Sequence, residues 1–477
     1  MANPPSLISG AVLALGAASL VVFALSALYM LNGLRRQARY LSLLAALGVI
    51  ALTLTHFGGL ALALVCSVVV LAQAASYTYF AARTALRRAR PVHVWSRELP
   101  RVAVVITARD ESAIIDATLC SLDTLDYPRE LLQLVLIDDG STDTMGEIAR
   151  ARAALMRHRL RIVSHASSGG KAQRLNEAIL ALDSEYVLVL DADHWVEPDL
   201  LPRMLAGFEH GPDVACVQAA SAVRNAGTNL LTKLLEMEYQ FRCKGVYPGK
   251  RVGIFLGSGG MFERRALLQV GCFDADMLTE DTEISYRLYE HGKRILYDDR
   301  LCTHDLAPAN FRNFFNQRHR WMQGLWQAML AHLARREDRR LSRRLGAYFV
   351  QFTFDGFGAL CLCWLEALVA LGAAGLVAVP PALVIPVHAL LLSSGFAFSV
   401  GAVRGRRPLN LLLLPLLPAY IVLHTIPMAW ALVDSYVLKK PLVWVKTERG
   451  ASDGTATAPA PEREPERRSA PLASGRA

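Results

Sequence analysis

Leu134-Val135-Leu136-Ile137-Asp138-Asp139-Gly140-Ser141 and, further along, Tyr186-Val187-Leu188-Val189-Leu190-Asp191-Ala192-Asp193 repeat one pattern: an unbroken apolar run that stops on acidic residues. A short apolar run without polar alternation marks a strand buried on both faces, as in a parallel sheet. Val102-Ala103-Val104-Val105-Ile106 is a third such run, and helix-like sequence separates it from the others. Strand, helix, strand with carboxylates at successive strand ends describes the nucleotide-binding half of a doubly wound sheet, whose ligands sit beyond the carboxyl ends of the strands. The predicted fold is therefore α/β, with a mostly parallel sheet.

Asp191 and Asp193 leave a strand at positions i and i+2. Such a pair can hold a hard divalent cation, with water and diphosphate completing the oxygen shell. The same spacing also suits a plain polar turn, so the two readings stand together until the surrounding residues are considered.

Those surroundings are membranous. The chain has 477 residues, 53% of them hydrophobic and 19% charged, an apolar excess for a soluble enzyme. The excess lies in residues 8–82 and 346–438, on either side of mixed sequence. Ile8 to Met30 is long enough for one span, and with no Lys or Arg before Arg35 it reads as retained rather than as a cleaved leader. The stretch from Tyr40 to Ala82 is about twice the length of one span and carries His56-Phe57-Gly58-Gly59 near its middle, which predicts two more. Arg35, Arg36 and Arg39, then Arg83, Arg87, Arg88 and Arg90, place both flanks in the cytoplasm.

The arginines of residues 335–344 sort the same way rather than binding nucleic acid, for which no base-reading motif is present in spite of the net charge of +9. The apolar segments 348–378, 382–401 and 409–438 leave an odd count unless one is broken, at Pro415 and Pro418 or within the first. Asp355, Glu366 and Asp434 inside these segments suit a polar channel. The eight cysteines show no metal spacing and are expected as free thiols, and the tail from about Ala451 lacks the apolar residues a core needs. The organisation read from this is residues 1–90, about three N-terminal spans; 97–310, a cytoplasmic catalytic domain; 311–345, interfacial amphipathic helices; 346–438, C-terminal spans; and 439–477, a mostly disordered cytoplasmic tail.

From about Pro100 to Gly324 the ordered set Thr107-Ala108-Arg109-Asp110-Glu111, Tyr127-Pro128, Asp138-Asp139-Gly140-Ser141, Gly170-Lys171 with Asn176, Asp191-Ala192-Asp193, Gly257-Ser258-Gly259-Gly260, Thr279-Glu280-Asp281 and Gln317-Arg318-His319-Arg320-Trp321 resembles the family 2 glycosyltransferases. The likeness is to their membrane-bound processive members, the cellulose, chitin, hyaluronan and poly-N-acetylglucosamine synthases. It implies a GT-A fold set between two bundles of transmembrane helices. The implied enzyme is an inverting hexosyltransferase of the bacterial-type plasma membrane that uses a UDP-sugar, glucose or N-acetylglucosamine, to elongate a β-linked polysaccharide and export it.

The resemblance also assigns residues. Thr107, Glu111, Asp138, Asp139, Lys171, Asp191, Gln317 and Arg320 would meet the donor, and Asp191 and Asp193 would hold its diphosphate through Mg2+ or Mn2+. Asp281, with Glu280 beside it, would be the general base, at an ordinary carboxylate pKa. Trp321, Gly257 and Ser258 would meet the acceptor; an indole face packs on the C–H face of a pyranose, and guanidinium pairs with phosphate oxygens. Two departures from the family pattern are Asp110, where Asn usually precedes the Glu, and Glu283, where a second Asp often follows. The same residues also fit transfer to a membrane lipid, diacylglycerol or a polyprenyl carrier. A silent scaffold would have lost Asp193, Asp281 or Arg320, and all three are present. Implied partners are the UDP-sugar, a glycan or lipid-linked acceptor, membrane lipid and an accessory export subunit, with no nucleic acid.

Overall fold

The computed structural model describes residues 58–87, 95–250, 252–334, 358, 361–376, 379–380, 383–438 and 440. The expected spans before residue 58, the basic stretch 335–344, Asp355 and the tail lie outside them. Eight strands form one sheet: β1 Val102–Ala108, β2 Leu132–Asp138, β3 Leu160–Ser164, β4 Tyr186–Asp191, β5 Trp195–Val196, β6 Val214–Val223, β7 Gly260–Glu263 and β8 Arg294–Asp305. Their order is β3-β2-β1-β4-β7-β6-β8-β5.

The three quoted runs are β1, β2 and β4, and β1 pairs parallel with both others. Alternate side chains enter two cores, as burial on both faces requires. Val105, Val135, Ile137, Val187 and Val189 face helix α4, Lys171–Ala181, through Leu175 and Ile179. Val104, Ile106, Leu134, Leu136 and Leu188 face α2, Ile115–Asp123, and α3, Met145–Ala153.

The sheet is mixed rather than simply parallel. β7 runs antiparallel to β4 and β6, and β5 antiparallel to β8. The loop before β7 turns through Gly257 (φ +84°) and Gly259 (φ +71°), a conformation side-chain-bearing residues avoid, and returns the chain between two co-directional strands.

Three helical stretches among the described residues are long and apolar enough to cross a membrane: Leu62–Leu86, Val384–Arg404 and Pro408–Ser435. The first lies in α1, Gly58–Leu86, which packs with the short apolar helix Cys361–Ala373 and with Val384–Arg404 through Val69, Val70, Leu365 and Leu390. The last opens as a 3-10 stretch, Pro408–Leu416, that holds Pro415, before the α-helix Leu417–Leu432. All eight cysteines are free.

Two devices fix these helices to the sheet. A Cβ at Gly245 or Gly401 would overlap a backbone carbonyl, of Ala397 or Gln240, so the Val384–Arg404 helix lies directly on the segment Gln240–Val246. Buried Asp299 on β8 meets Arg404 Nη2 at 3.1 Å and Arg87 Nη1 at 3.7 Å, while its carbonyl accepts from Lys244 Nζ at 2.5 Å. One strand position thereby anchors the ends of two apolar helices.

Candidate active site

In the register of the sheet Thr107 pairs with Ile137 and with Asp191, so the acidic ends of β1, β2 and β4 converge at one edge. Asp138 accepts from Ser141 N at 2.9 Å, and Asp110, at φ 51°, accepts from Thr142 N at 2.6 Å, which draws the loops after β1 and β2 together. Asp139 takes four donors: Ser168 Oγ (2.6 Å), Gly169 N (2.7 Å), Gly170 N (3.1 Å) and Arg174 Nε (2.8 Å). Burial alone would raise its pKa, but these donors prevail and hold it below the usual carboxylate value. Its evident structural work is to shape the loop that delivers Lys171, the first residue of α4. Gly140 (φ +73°) allows the close approach, since a Cβ there would lie 2.7 Å from the Ser167 carbonyl carbon.

Lys171 Nζ lies 2.6 Å from Asp191 Oδ1, 3.3 Å from Glu280 Oε1 and 2.8 Å from the Gly257 carbonyl. Burial opposes its charge, yet Asp191, Glu280 and Asp281 hold the ammonium well above the usual lysine value. Ser258 Oγ accepts from Asp191 N at 2.9 Å, tying the glycine-rich loop to the end of β4. Asp191, Asp193 and His194 each bring one ligand atom within 4.8 Å of the others. Asp193 is buried and accepts from Leu306 N at 3.3 Å, and His194 Nδ1 lies 3.1 Å from Thr303 Oγ1. Two carboxylates and an imidazole, closely set, with Asp193 and His194 buried and Asp191 partly open to solvent, fit a divalent cation.

Glu280 and Asp281 open the helix Glu280–Glu290. A helix N-terminus favours anions, which supports an ionised Asp281. Burial and the Glu280 carboxylate outweigh that, and despite Lys171, the Thr282 amide and Arg320 the Asp281 pKa is pushed up to about 7. The expectation of an ordinary carboxylate pKa is corrected by this burial, which no sequence motif reports.

Gln317, Arg320 and Trp321 lie on one long helix, Phe311–Ala334. Its Gly324 faces Thr279, where a Cβ would overlap the Thr279 side chain. The helix thus lies flush against the Thr279-Glu280-Asp281 turn. Lys171, Asp191, Asp193, Gly257, Ser258, Glu280, Asp281, Gln317, Arg320 and Trp321 all line one cavity of about 430 Å³. Thr107, Glu111, Asp138 and Asp139 stand beside it at the ends of β1 and β2 and are not part of its wall. The cavity continues between the apolar helices, past Gln73, Tyr77, Leu390, Phe398 and Tyr420.

Three contributors had no role in the sequence reading. His194 was signalled only by its place directly after Asp193. Glu238 and Arg242 also line the cavity and belong to no motif.

Residues 100–324 match the family model described as glycosyltransferase like family 2. That stretch, just under half of the chain, is thus similar to the family 2 glycosyltransferases. Poly-beta-1,6-N-acetyl-D-glucosamine synthase of Staphylococcus epidermidis is 28% identical over 258 residues, 53% of this chain and 61% of that protein. The enzyme of the same name from Staphylococcus aureus strain COL is 29% identical over 237 residues, 49% of this chain and 56% of that one. The matches thus span about three fifths of those relatives' length. Among solved structures, a mannosyltransferase from Pyrobaculum calidifontis in complex with GDP-Man and Mn2+ aligns with a TM-score of 0.53 at 21% identity, covering 77% of this chain and 98% of that one. That likeness is one of fold, and it makes the sheet GT-A-like.

Proposed function

We propose that this chain is a multi-pass glycosyltransferase of the bacterial-type plasma membrane. It takes N-acetylglucosamine from UDP-N-acetylglucosamine on its cytoplasmic side and elongates a β-linked glycan with inversion. The observation that carries the reading is the cavity, whose wall passes from Asp191, Asp281 and Trp321 to the apolar-helix residues Tyr77, Leu390 and Tyr420. A domain that released its product to the cytoplasm would not need its acceptor side built from helices long enough to span a membrane. The staphylococcal relatives, named as poly-beta-1,6-N-acetyl-D-glucosamine synthases, support the sugar and the β linkage. The division into spans, catalytic domain 97–310, interfacial segment 311–345 and tail 439–477 belongs to the same proposal.

The chemistry follows from the side chains. Asp281 takes the proton of the acceptor hydroxyl as that oxygen attacks the anomeric carbon and the bond to UDP breaks. Arg320 and Lys171 bring positive charge to the departing diphosphate, in a site dry enough for it to count. Thr107, Glu111, Asp138 and Asp139 shape the nucleoside side of the donor site, and Gln317 its diphosphate side. Trp321 supplies the flat floor for the acceptor, with Gly257 and Ser258 opposite. Asp191 and Asp193, with His194 adjoining, would hold Mg2+ or Mn2+, which when bound supplies Lewis-acid neutralisation of the leaving group.

The test is metal-dependent incorporation of labelled N-acetylglucosamine by the purified chain in nanodiscs, against Asp281→Asn. Incorporation by the parent and its loss in the variant, with UDP binding kept, support the assignment. Equal incorporation by both removes Asp281 from the reaction.

A further inference from the structure

Glu238 lies near the end of the helix Leu230–Tyr239, in none of the motifs, and is 5% exposed. Its Oε2 accepts from Arg318 Nη2 at 2.7 Å and from the Tyr420 hydroxyl. Its Oε1 faces Arg242 Nε at 3.1 Å and His424 Nε2 at 3.8 Å. Arg318, 2% exposed, stands 4.4 Å over the Trp321 ring and 5.4 Å from that of Phe314. Arg242 lies 5.7 Å from the same indole.

Two guanidiniums packed on one ring is a costly arrangement. Arginine keeps its charge at any physiological pH, so neither group can escape by losing a proton. Cation–π attraction to an indole is worth less than the burial of a second like charge costs. Among the described residues Glu238 is the carboxylate paired with both. Burial would raise its pKa, but Arg318 and Arg242 together hold it down at about 2, so it stays ionised. Tyr420 and His424, one turn apart, bring the last apolar helix to the same carboxylate.

We propose that Glu238 is a positioning residue for the acceptor: it holds Arg318 and Arg242 against Trp321, sets the tilt of the indole, and ties that platform to the helix Leu417–Leu432. The proposal rests on the reading of Trp321 as the acceptor floor. Removing the charge leaves two cations in mutual repulsion beside the ring, and the platform then turns away without any donor group moving.

The experiment uses the full chain in nanodiscs as parent, Glu238→Gln and Glu238→Asp. It measures binding of a short β-linked N-acetylglucosamine oligosaccharide, UDP binding with Mn2+, and kcat and KM for the oligosaccharide. Glu238→Gln should weaken oligosaccharide binding and raise its KM roughly tenfold or more, the scale of breaking a buried ion pair. UDP binding should stay unchanged, and Glu238→Asp, which keeps the charge, should recover part of the loss. Unaltered oligosaccharide binding in Glu238→Gln overturns the proposal. So does a parallel loss of UDP binding, which would mark a folding role, and so does failure of the parent to bind the oligosaccharide. A parent that binds the oligosaccharide and does not extend it sinks the functional reading instead, while the binding comparison still decides the role of Glu238.

Discussion

Replacing Lys171 by Met removes a cation from beside the proposed base, and its effect can be worked out from the geometry. A Cβ on Gly257 would touch Asp281 Oδ2 at 3.2 Å and Lys171 Nζ at 3.8 Å. The two charges are therefore at most about 7 Å apart, which at an effective dielectric of about 20 is roughly 2 kcal/mol of attraction. Lys171 lowers the Asp281 pKa, so its loss raises it, and the acidic limb of kcat/KM moves from about pH 7 to between about pH 8 and 9. At pH 7.5 the ionised fraction falls from about three-quarters to under about a tenth, a loss of roughly tenfold that shrinks to less than about twofold at pH 9. The assay is kcat/KM for the donor from pH 6 to 9.5, at saturating Mn2+ and fixed ionic strength. A loss of equal size at every pH refutes the argument and makes Lys171 a donor contact alone. A limb that stays near pH 7 refutes it as well.

Asp193→Asn removes the buried carboxylate charge from the proposed cation site and should sharply weaken Mn2+ binding as read by electron paramagnetic resonance, with helix content unchanged. Gly140→Ala places a Cβ 2.7 Å from Ser167 at φ +73°, and should cost about 1–3 kcal/mol of stability along with weaker UDP binding. Asp299→Asn takes the anionic anchor from Arg404 and Arg87, and should lower the melting temperature in detergent and expose the ends of both helices to protease. Unchanged melting there would show that the glycine contacts alone seat the helices.

The legible part of the fold was the part with a simple physical signature. β1, β2 and β4 are buried on both faces, so their sequences are nearly pure apolar runs, and the carboxylates at their ends had to lie where such sheets bind ligands. β5 and β7 have two and four residues and carry no period to read, so the reversed strands that make the sheet mixed were invisible. Gly257 and Gly259 could be quoted as a motif, but the turn they permit shows only in their positive φ. The raised pKa of Asp281 depends on desolvation in the folded cavity, a tertiary property, together with the adjacent Glu280 carboxylate. Beyond its i,i+4 neighbour Arg242, Glu238 pairs across 80 residues with Arg318 and across 182 with Tyr420, and Arg318 occupies an unassigned position of the Gln317-to-Trp321 motif. Side chains joined across such separations leave no local trace.

The most direct measurement is the size and linkage of the product made by the full chain in lipid nanodiscs from radiolabelled UDP-N-acetylglucosamine and Mn2+, with polymer separated from lipid-extractable label. A long β-linked polymer that resists organic extraction and is absent with Asp281→Asn is the expected product. Label confined to a short glycolipid would contradict elongation and make the cavity between the helices a lipid-acceptor site.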